Sequence, residues 1–431
     1  MLVLALLRRF PWVAASALVP LAAALAFATA TRGPWWLLAL WLAGSLLWPP
    51  GAGYRTHLAR EAILASVGMG LLLLYGYAPA YAWRQAAIWL WASALAGLAA
   101  TEPIHAWLQR PNLARLGMAI ALALTLLAWQ KGVSPSPGGP RLWLCTPTVC
   151  LHPGTGVLLA WVWVWAYEPK PWARGLWGLA AVAVLLMQGD WGIAGLVVLI
   201  GLSGLWVEGR LTARGLARVT VVLLAAAMLA WAGSARVRWR VAAWLWPERD
   251  PAGWGYQSLQ ARCALSQGGW RGAGLAARAA ARVPLALTDF AYIAWSADAG
   301  LVAALALLLG QSVPWLGLGL QGLADGDPVA ARFRWAVAAW LAWQSTWVLG
   351  GNVGLLPITG LPLPWVAYGG AMLTALSIAA AHALAHPWTP TRRPNPWRTR
   401  GLLLLGLWAA LTLAAGLRTA YLMAQAKPPH C

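Results

Sequence analysis

The chain has 431 residues, of which 61% are hydrophobic and only 10% charged. A water-soluble fold of that composition would have to hide more apolar surface than its interior can hold, so lipid is the expected solvent. The 31 Lys and Arg against 11 Asp and Glu fall in short clusters between apolar runs rather than along one soluble face, which argues against a nucleic-acid partner and for membrane topology.

In chain order, apolar runs lie near residues 11–30, 35–48, 62–80, 86–100, 113–129, 156–167, 175–187, 192–207, 216–232, 290–309, 335–349, 365–382 and 401–423. A helix needs about 20 residues to cross a hydrocarbon core of about 30 Å. Open sheet edges are not tolerated there, and the runs lack the alternation of a barrel. About thirteen candidate helices result, and the class expected is an all-α polytopic transmembrane bundle. Arg8 and Arg9 before the first run look superficially like a signal peptide. Without a convincing cleavage site, an uncleaved first span is the simpler expectation. The 34 Trp residues fit anchoring in the headgroup layer.

With Arg8 and Arg9 in the cytoplasm, alternation also puts Arg55 and Arg60, Arg110 and Arg115, Lys170 and Arg174, and Arg210, Arg214 and Arg218 inside. Arg332, Arg334, Arg392, Arg393, Arg398 and Arg400 follow, so the positive-inside rule holds along the chain. One long outer loop, 234–289, is basic nonetheless: Arg236, Arg238, Arg240, Arg249, Arg262, Arg271, Arg278 and Arg282 face only Glu248 and Asp250 before the acid that ends it. Loops of that length translocate despite their charge. Contact with outer-leaflet phospholipid and recognition of an anionic substrate such as pyrophosphate both account for the arginines. Cys145 and Cys150 share a short loop, compatible with a disulfide or with two free thiols, and no metal-ligand spacing is legible.

Three ordered segments carry a resemblance: "YQSLQARCALSQGGWRGAGL", then "LTDFAYIAWSADAGLV", then "NVGLLPITGLPLPWVAYGG". In that order and spacing they resemble the SEDS family, the shape, elongation, division and sporulation proteins typified by RodA, FtsW and SpoVE. Weaker echoes are "GPRLWL" at 139–144, "QGDWGIA" at 188–194 and the pair Arg84-Gln85. The resemblance implies a ten-helix core over 61–387, with extra N-terminal helices in 1–60 and a basic cytoplasmic loop and extra helix in 388–431. It also implies a multi-pass protein of the bacterial cytoplasmic membrane, and peptidoglycan glycosyltransfer: lipid II polymerised at the outer face with loss of undecaprenyl pyrophosphate, beside a class B penicillin-binding protein. A divalent cation, Mg or Mn, is implied on the pyrophosphate, and no other cofactor.

Asp289, in "LTDF", matches the family's catalytic aspartate and would serve as base for the acceptor hydroxyl. The bland alternative is an aspartate satisfying helix N–H groups or pairing with an arginine. Arg236, Arg238, Arg240, Arg262 and Arg271 are candidates for the leaving group, and Gln257 for the cavity lining. Gly268 and Gly269, with Gly272 and Gly274, let backbone approach either a phosphate or another helix. Asn352, Pro357, Thr359, Gly360 and Tyr368 lie in a stretch so rich in Pro and Gly that irregular backbone at membrane depth, hence a cavity wall, is expected.

The chain departs from the family where Q-P-S-E and a following lysine are usual. Here His152, Gly154 and Thr155 flank the surviving Pro153, and no lysine follows. E-E-L-G has likewise become Ala297-Asp298-Ala299-Gly300. A divergent active polymerase and a degenerate scaffold binding lipid II and a transpeptidase are both compatible with these losses. A lipid II flippase would want a charged path through both leaflets, and the spans carry few charges.

Overall fold

The computed structural model describes residues 35–49, 54–134, 139–146, 150–389, 397–425 and 431. The first expected helix, 11–30, lies outside the described residues. Helices α1 (Trp35–Leu46), α2 (Tyr54–Tyr77), α3 (Pro79–Ala100), α4 (Glu102–Leu108) and α5 (Pro111–Lys131) lead to a two-stranded hairpin, β1 (Leu144–Cys145) with β2 (Cys150–Leu151). Then come α6 (Pro153–Tyr167), α7 (Pro171–Gln188), α8 (Trp191–Val207), α9 (Ala213–Gly233), α10 (Ala235–Leu245), α11 (Tyr256–Gly268), α12 (Ala291–Gly322), α13 (Pro328–Asn352), α14 (Gly370–Ala385) and α15 (Arg398–Ala424). The molecule is an all-α bundle.

Local chemistry sets many of these boundaries. Pro79, Pro111, Pro153, Pro171 and Pro328 each open a helix, where proline's missing N–H costs nothing. His152, Asp190, Ser234 and Asp327 cap helices through their side chains. Gly189, at φ 86°, ends α7 in the left-handed conformation glycine tolerates.

Four described helices are long and apolar enough to cross a membrane: Arg55–Tyr77, Pro111–Lys131, Ala291–Gly322 and Arg398–Ala424. The pair α3 and α4, bent by 84°, makes a fifth if counted as one span. Others are shorter. At 15 residues, α6 reaches only about 22 Å.

Two expectations are corrected and one is filled in. The run at 365–382 becomes helical only from Gly370, because Pro362 and Pro364 hold the preceding segment irregular. The run at 290–309 continues through Pro314 to Gly322 and is broken instead at Gly300, φ 85°. The basic loop 234–289 carries two helices, α10 and α11. Tryptophan also divides between two roles: Trp91 and Trp172 are exposed, but Trp89, Trp315, Trp340 and Trp408 are fully buried in the bundle.

The terminal helices are built into this core. A Cβ on Gly44 of α1 would collide with the Trp89 indole of α3, and Trp48 stacks on Trp89 at 5.7 Å. Trp408 of α15 lies among Trp315, Trp335 and Trp343, with ring centroids 5.7–5.9 Å away. Disulfides join Cys145 to Cys150 and Cys263 to Cys431. The first closes the hairpin pair left open by sequence. The second fastens the end of the chain to α11, so Cys431 lies on the same side as the basic loop.

Candidate active site

Asp289 sits two residues before α12, at the end of the bundle where α13 finishes and α8 begins. Its carboxylate borders a small, partly open cavity lined also by Trp347, Val348, Gly351, Asn352, Ile358, Thr359, Gly360 and Leu361. Neither bland role is filled. Phe290 occupies the N-cap without a side-chain hydrogen bond, and no salt bridge reaches Asp289 among the described residues. Burial pushes its carboxyl up to about 6, opposed by a bond from Thr288 and by the charge of Arg240.

The cavity wall is the irregular segment 353–369. At membrane depth its carbonyls need partners, and three buried glutamines supply them. Gln85 donates to Ala367 O at 3.2 Å and accepts from Gly369 N at 3.4 Å. Gln311 donates to Pro364 O at 3.1 Å, and Gln344 to Pro362 O at 2.7 Å. Trp347 Nε1 donates to Pro357 O at 3.2 Å. Gln311, Gln344 and Trp347 were not singled out from sequence, where a glutamine or tryptophan inside an apolar run gave no sign of which carbonyl it would meet.

Several expected residues meet at this wall. Asn352 Nδ2 donates to Asp289 O at 2.8 Å, fixing the backbone that carries the acid, while its buried Oδ1 has no partner. Gly360, at φ 73°, brings its Cα side so close that an added Cβ would lie 3.5 Å from Asp289 Oδ2. Thr359 lines the cavity, and its carbonyl packs against Gly192 at the start of α8. Pro357 serves through its carbonyl. Tyr368 does not line the cavity: its ring stacks on Tyr81 at 4.8 Å, and its N–H bonds Leu287 O at 2.8 Å, tying the wall to the loop ahead of Asp289.

The basic loop distributes its arginines differently from one undivided patch. Arg240 is exposed and acts electrostatically on both Asp289 and Asp190. Arg238 closes the end of α9 by donating to Trp231 O and Ala232 O at 3.2 and 2.8 Å. Arg262 pairs with Glu248 at 2.5 Å. Arg271 is exposed beside the break at Gly300, Gln257 is half-buried in the first turn of α11, and Arg236 lies in α10.

The glycine-rich stretch is used for packing. A Cβ on Gly268 would come within 2.2 Å of Ala297 O, and one on Gly272 within 2.4 Å of Asp298 O. Ala273 N and Gly274 N donate to those two carbonyls at 2.9 and 3.0 Å. Gly269, at φ 57°, turns the chain between them with open space around it. Asp298 accepts from Arg278 N and Ala279 N at 3.2 and 2.8 Å, anchoring the loop that delivers Asp289.

The altered Q-P-S-E stretch forms its own pair. His152 Nε2 lies 3.5 Å from Asp190 Oδ2, and its Nδ1 accepts from Thr155 N at 3.3 Å, which leaves the Nε2 proton facing the acid. A Cβ on Gly154 would lie 2.8 Å from the same oxygen, so the glycine makes room for the pair. Burial lowers the His152 imidazole and raises the Asp190 carboxyl.

The sequence and the bundle match known proteins. The profile of the FtsW/RodA/SpoVE family, described as "Cell cycle protein", covers residues 62–384. The chain belongs to this family. The peptidoglycan glycosyltransferase RodA of Mycobacterium tuberculosis is 37% identical over 164 residues, 38% of this chain and 35% of that protein. The probable peptidoglycan glycosyltransferase FtsW of the same species is 27% identical over 372 residues, 80% of this chain and 70% of that protein. A chain solved in work on the coordination of polymerization and crosslinking by a peptidoglycan synthase complex superposes with a TM-score of 0.64 at 25% identity, covering 76% of this chain and 96% of that one. The Thermus thermophilus rod shape determining protein RodA shares the fold, with a TM-score of 0.57 at 22% identity over 76% of this chain and 94% of that one. This family member is a multi-pass membrane protein.

Proposed function

We propose that the chain is a peptidoglycan glycosyltransferase that polymerises lipid II at the outer face of the bacterial cytoplasmic membrane, in cell-wall synthesis for shape or division. The observation that carries this reading is a carboxylate bordering a cavity, uncommitted to capping or ion pairing, with its pKa raised to about 6. Such a group is mostly ionised at neutral pH and still basic enough to take a proton. The acceptor hydroxyl attacks the donor anomeric carbon, its proton passes to Asp289, and the bond to the pyrophosphate breaks as undecaprenyl pyrophosphate leaves. Arg240 is the guanidinium best placed to favour the negative charge on the leaving group, since its field already reaches Asp289.

The recess beside Asp289 is far smaller than a lipid-linked disaccharide peptide, so most of the substrate lies along the apolar bundle and the basic loop. A divalent cation, Mg or Mn, fits this site as companion of a pyrophosphate. The hard oxygen donors bordering the cavity are the Asp289 carboxylate and the unpartnered Oδ1 of Asn352. When bound, it supplies neutralising charge to the phosphates. By the likeness to a chain of a peptidoglycan synthase complex, the partner proposed is a class B penicillin-binding protein.

The second reading, a scaffold, is favoured by the missing glutamate and lysine: Thr155 stands where the glutamate is usual, and His152 beside it pairs with Asp190 instead. Purified chain supplied with lipid II separates the two: polymer is expected from the wild type and none from Asp289→Ala of equal thermal stability. Equal product from both, or none from either in the presence of the partner, would refute the polymerase.

A further inference from the structure

At the end of the bundle opposite Asp289, three imidazoles from distant parts of the sequence meet. His105 comes from α4, the short helix bent away from α3, while His382 and His386 sit four residues apart at the end of α14. All three are buried, and one ring nitrogen from each falls within 4.8 Å of those of the others. The ring centroids are 4.1 Å apart for His105 and His382, 4.5 Å for His105 and His386, and 5.0 Å for the last pair. Tyr167, at the end of α6, places its hydroxyl 2.8 Å from Nε2 of both His382 and His386.

The hydrogen bonding of this cluster is incomplete. The Ala99 backbone lies close enough to His105 and His382 to act on both rings, but both nitrogens of His105 and Nδ1 of His382 are buried without a hydrogen bond of full geometry. Burying an imidazole nitrogen unpaired costs free energy, and a group left so in a folded core calls for a ligand. Water and a cation are the small ligands that can satisfy lone pairs. No carboxylate is within the cluster to hold a protonated ring, and neutral imidazole is the form that binds metal.

We propose that His105, His382 and His386, with the Tyr167 oxygen as fourth donor, form a binding site for a divalent transition-metal ion of the zinc class. Three nitrogens and one oxygen match the ligands and the four-coordinate geometry zinc accepts. Zinc–nitrogen bonds of about 2.0–2.1 Å require the nitrogens to stand roughly 3.3 Å apart, so the rings close on the ion by small rotations from their present spacing. The Tyr167 proton passes to the buffer as its oxygen binds.

The surroundings hold the donors in place. Arg334 and Asp325, both fully buried, form a net-neutral pair. Arg334 Nη2 donates to His386 O at 2.5 Å, and Thr389 Oγ1 donates to Asp325 Oδ1 at 2.9 Å. The carbonyl of His386 is thus fixed while its ring is left to ligate, the kind of outer support metal ligands need. The ion would fasten α4, α6 and α14 together at the cytoplasmic end and take no part in the chemistry at Asp289.

The test uses the full chain purified without a histidine tag, stripped with chelator, then given zinc ion and freed of excess by gel filtration. Elemental analysis is expected to find one metal per chain, with a melting temperature raised by several degrees. Cobalt ion in its place is expected to give the intense visible absorption of a four-coordinate site. His105→Phe, which keeps the ring volume, and His386→Ala are expected to lose the metal and the thermal shift. Substoichiometric metal in the wild type, a pale six-coordinate cobalt spectrum, or full metal content in both variants would overturn the proposal. Should the variants misfold, wild-type stoichiometry and the cobalt spectrum decide it.

Discussion

The pH dependence of polymerisation gives the sharpest check on Asp289. Burial holds its carboxyl at about 6 instead of 3.8. Only the ionised form accepts a proton, so turnover is expected to fall as pH drops through 6 and to be roughly tenfold lower at pH 5 than at pH 7. An unshifted aspartate would leave the rate nearly flat over that interval. The same shift carries a stability cost of opposite sense. A carboxyl whose pKa is raised in the folded state stabilises the fold only while protonated, and that contribution is lost as pH rises from about 4 through about 6. The two forms differ by about 3 kcal/mol for this shift, discounted to about 1–2 because the cavity admits water. Asp289→Asn is therefore expected to melt higher than the wild type at pH 8, while losing turnover by about 10²–10⁴-fold. Initial rates of lipid II polymerisation from pH 4.5 to 8.5, with melting curves at each pH, measure both. An acid limb near 4, or a limb near 6 that survives in Asp289→Asn, refutes the assignment of the base.

The cavity wall yields further expectations. Gln344→Leu leaves the buried Pro362 carbonyl without its donor and is expected to cost about 1–3 kcal/mol, read as a lower melting temperature in detergent. Gly360→Ala forces a side chain into φ 73° and sets a methyl beside Asp289 Oδ2. About 1–2 kcal/mol of backbone strain is expected, with a larger proportional loss of polymer than of stability. Cys431 should resist maleimide labelling until reductant is added. Cys431→Ser should leave the buried Cys263 reduced, so that it takes up maleimide on denaturation without reductant, and labelling of Cys431 without reductant would contradict the tie to α11.

Part of this protein follows from sequence alone. Composition and the lengths of the apolar runs dictate helices in lipid, because each run must satisfy its backbone internally wherever it sits. The motif around Asp289 picks out the acid that borders the cavity. Helix ends near the cavity were misjudged for the same reason: Trp365 to Gly369 is apolar enough to read as helix, but Pro362, Pro364 and the hydrogen bonds of Gln85 keep it irregular.

What only the tertiary structure decided is who meets whom. Gln311 and Gln344 read as isolated polar residues until the fold brings them to Pro364 and Pro362. Gly154 looks like a lost serine until Asp190 is seen to occupy the space, and Cys263 finds its partner 168 residues away. His105 has no sequence neighbour that suggests a cluster with His382 and His386, since helix packing and not spacing assembles it. Hydrophobic periodicity reports the solvent each segment prefers and is blind to which distant segment supplies a donor, an acceptor or a ligand.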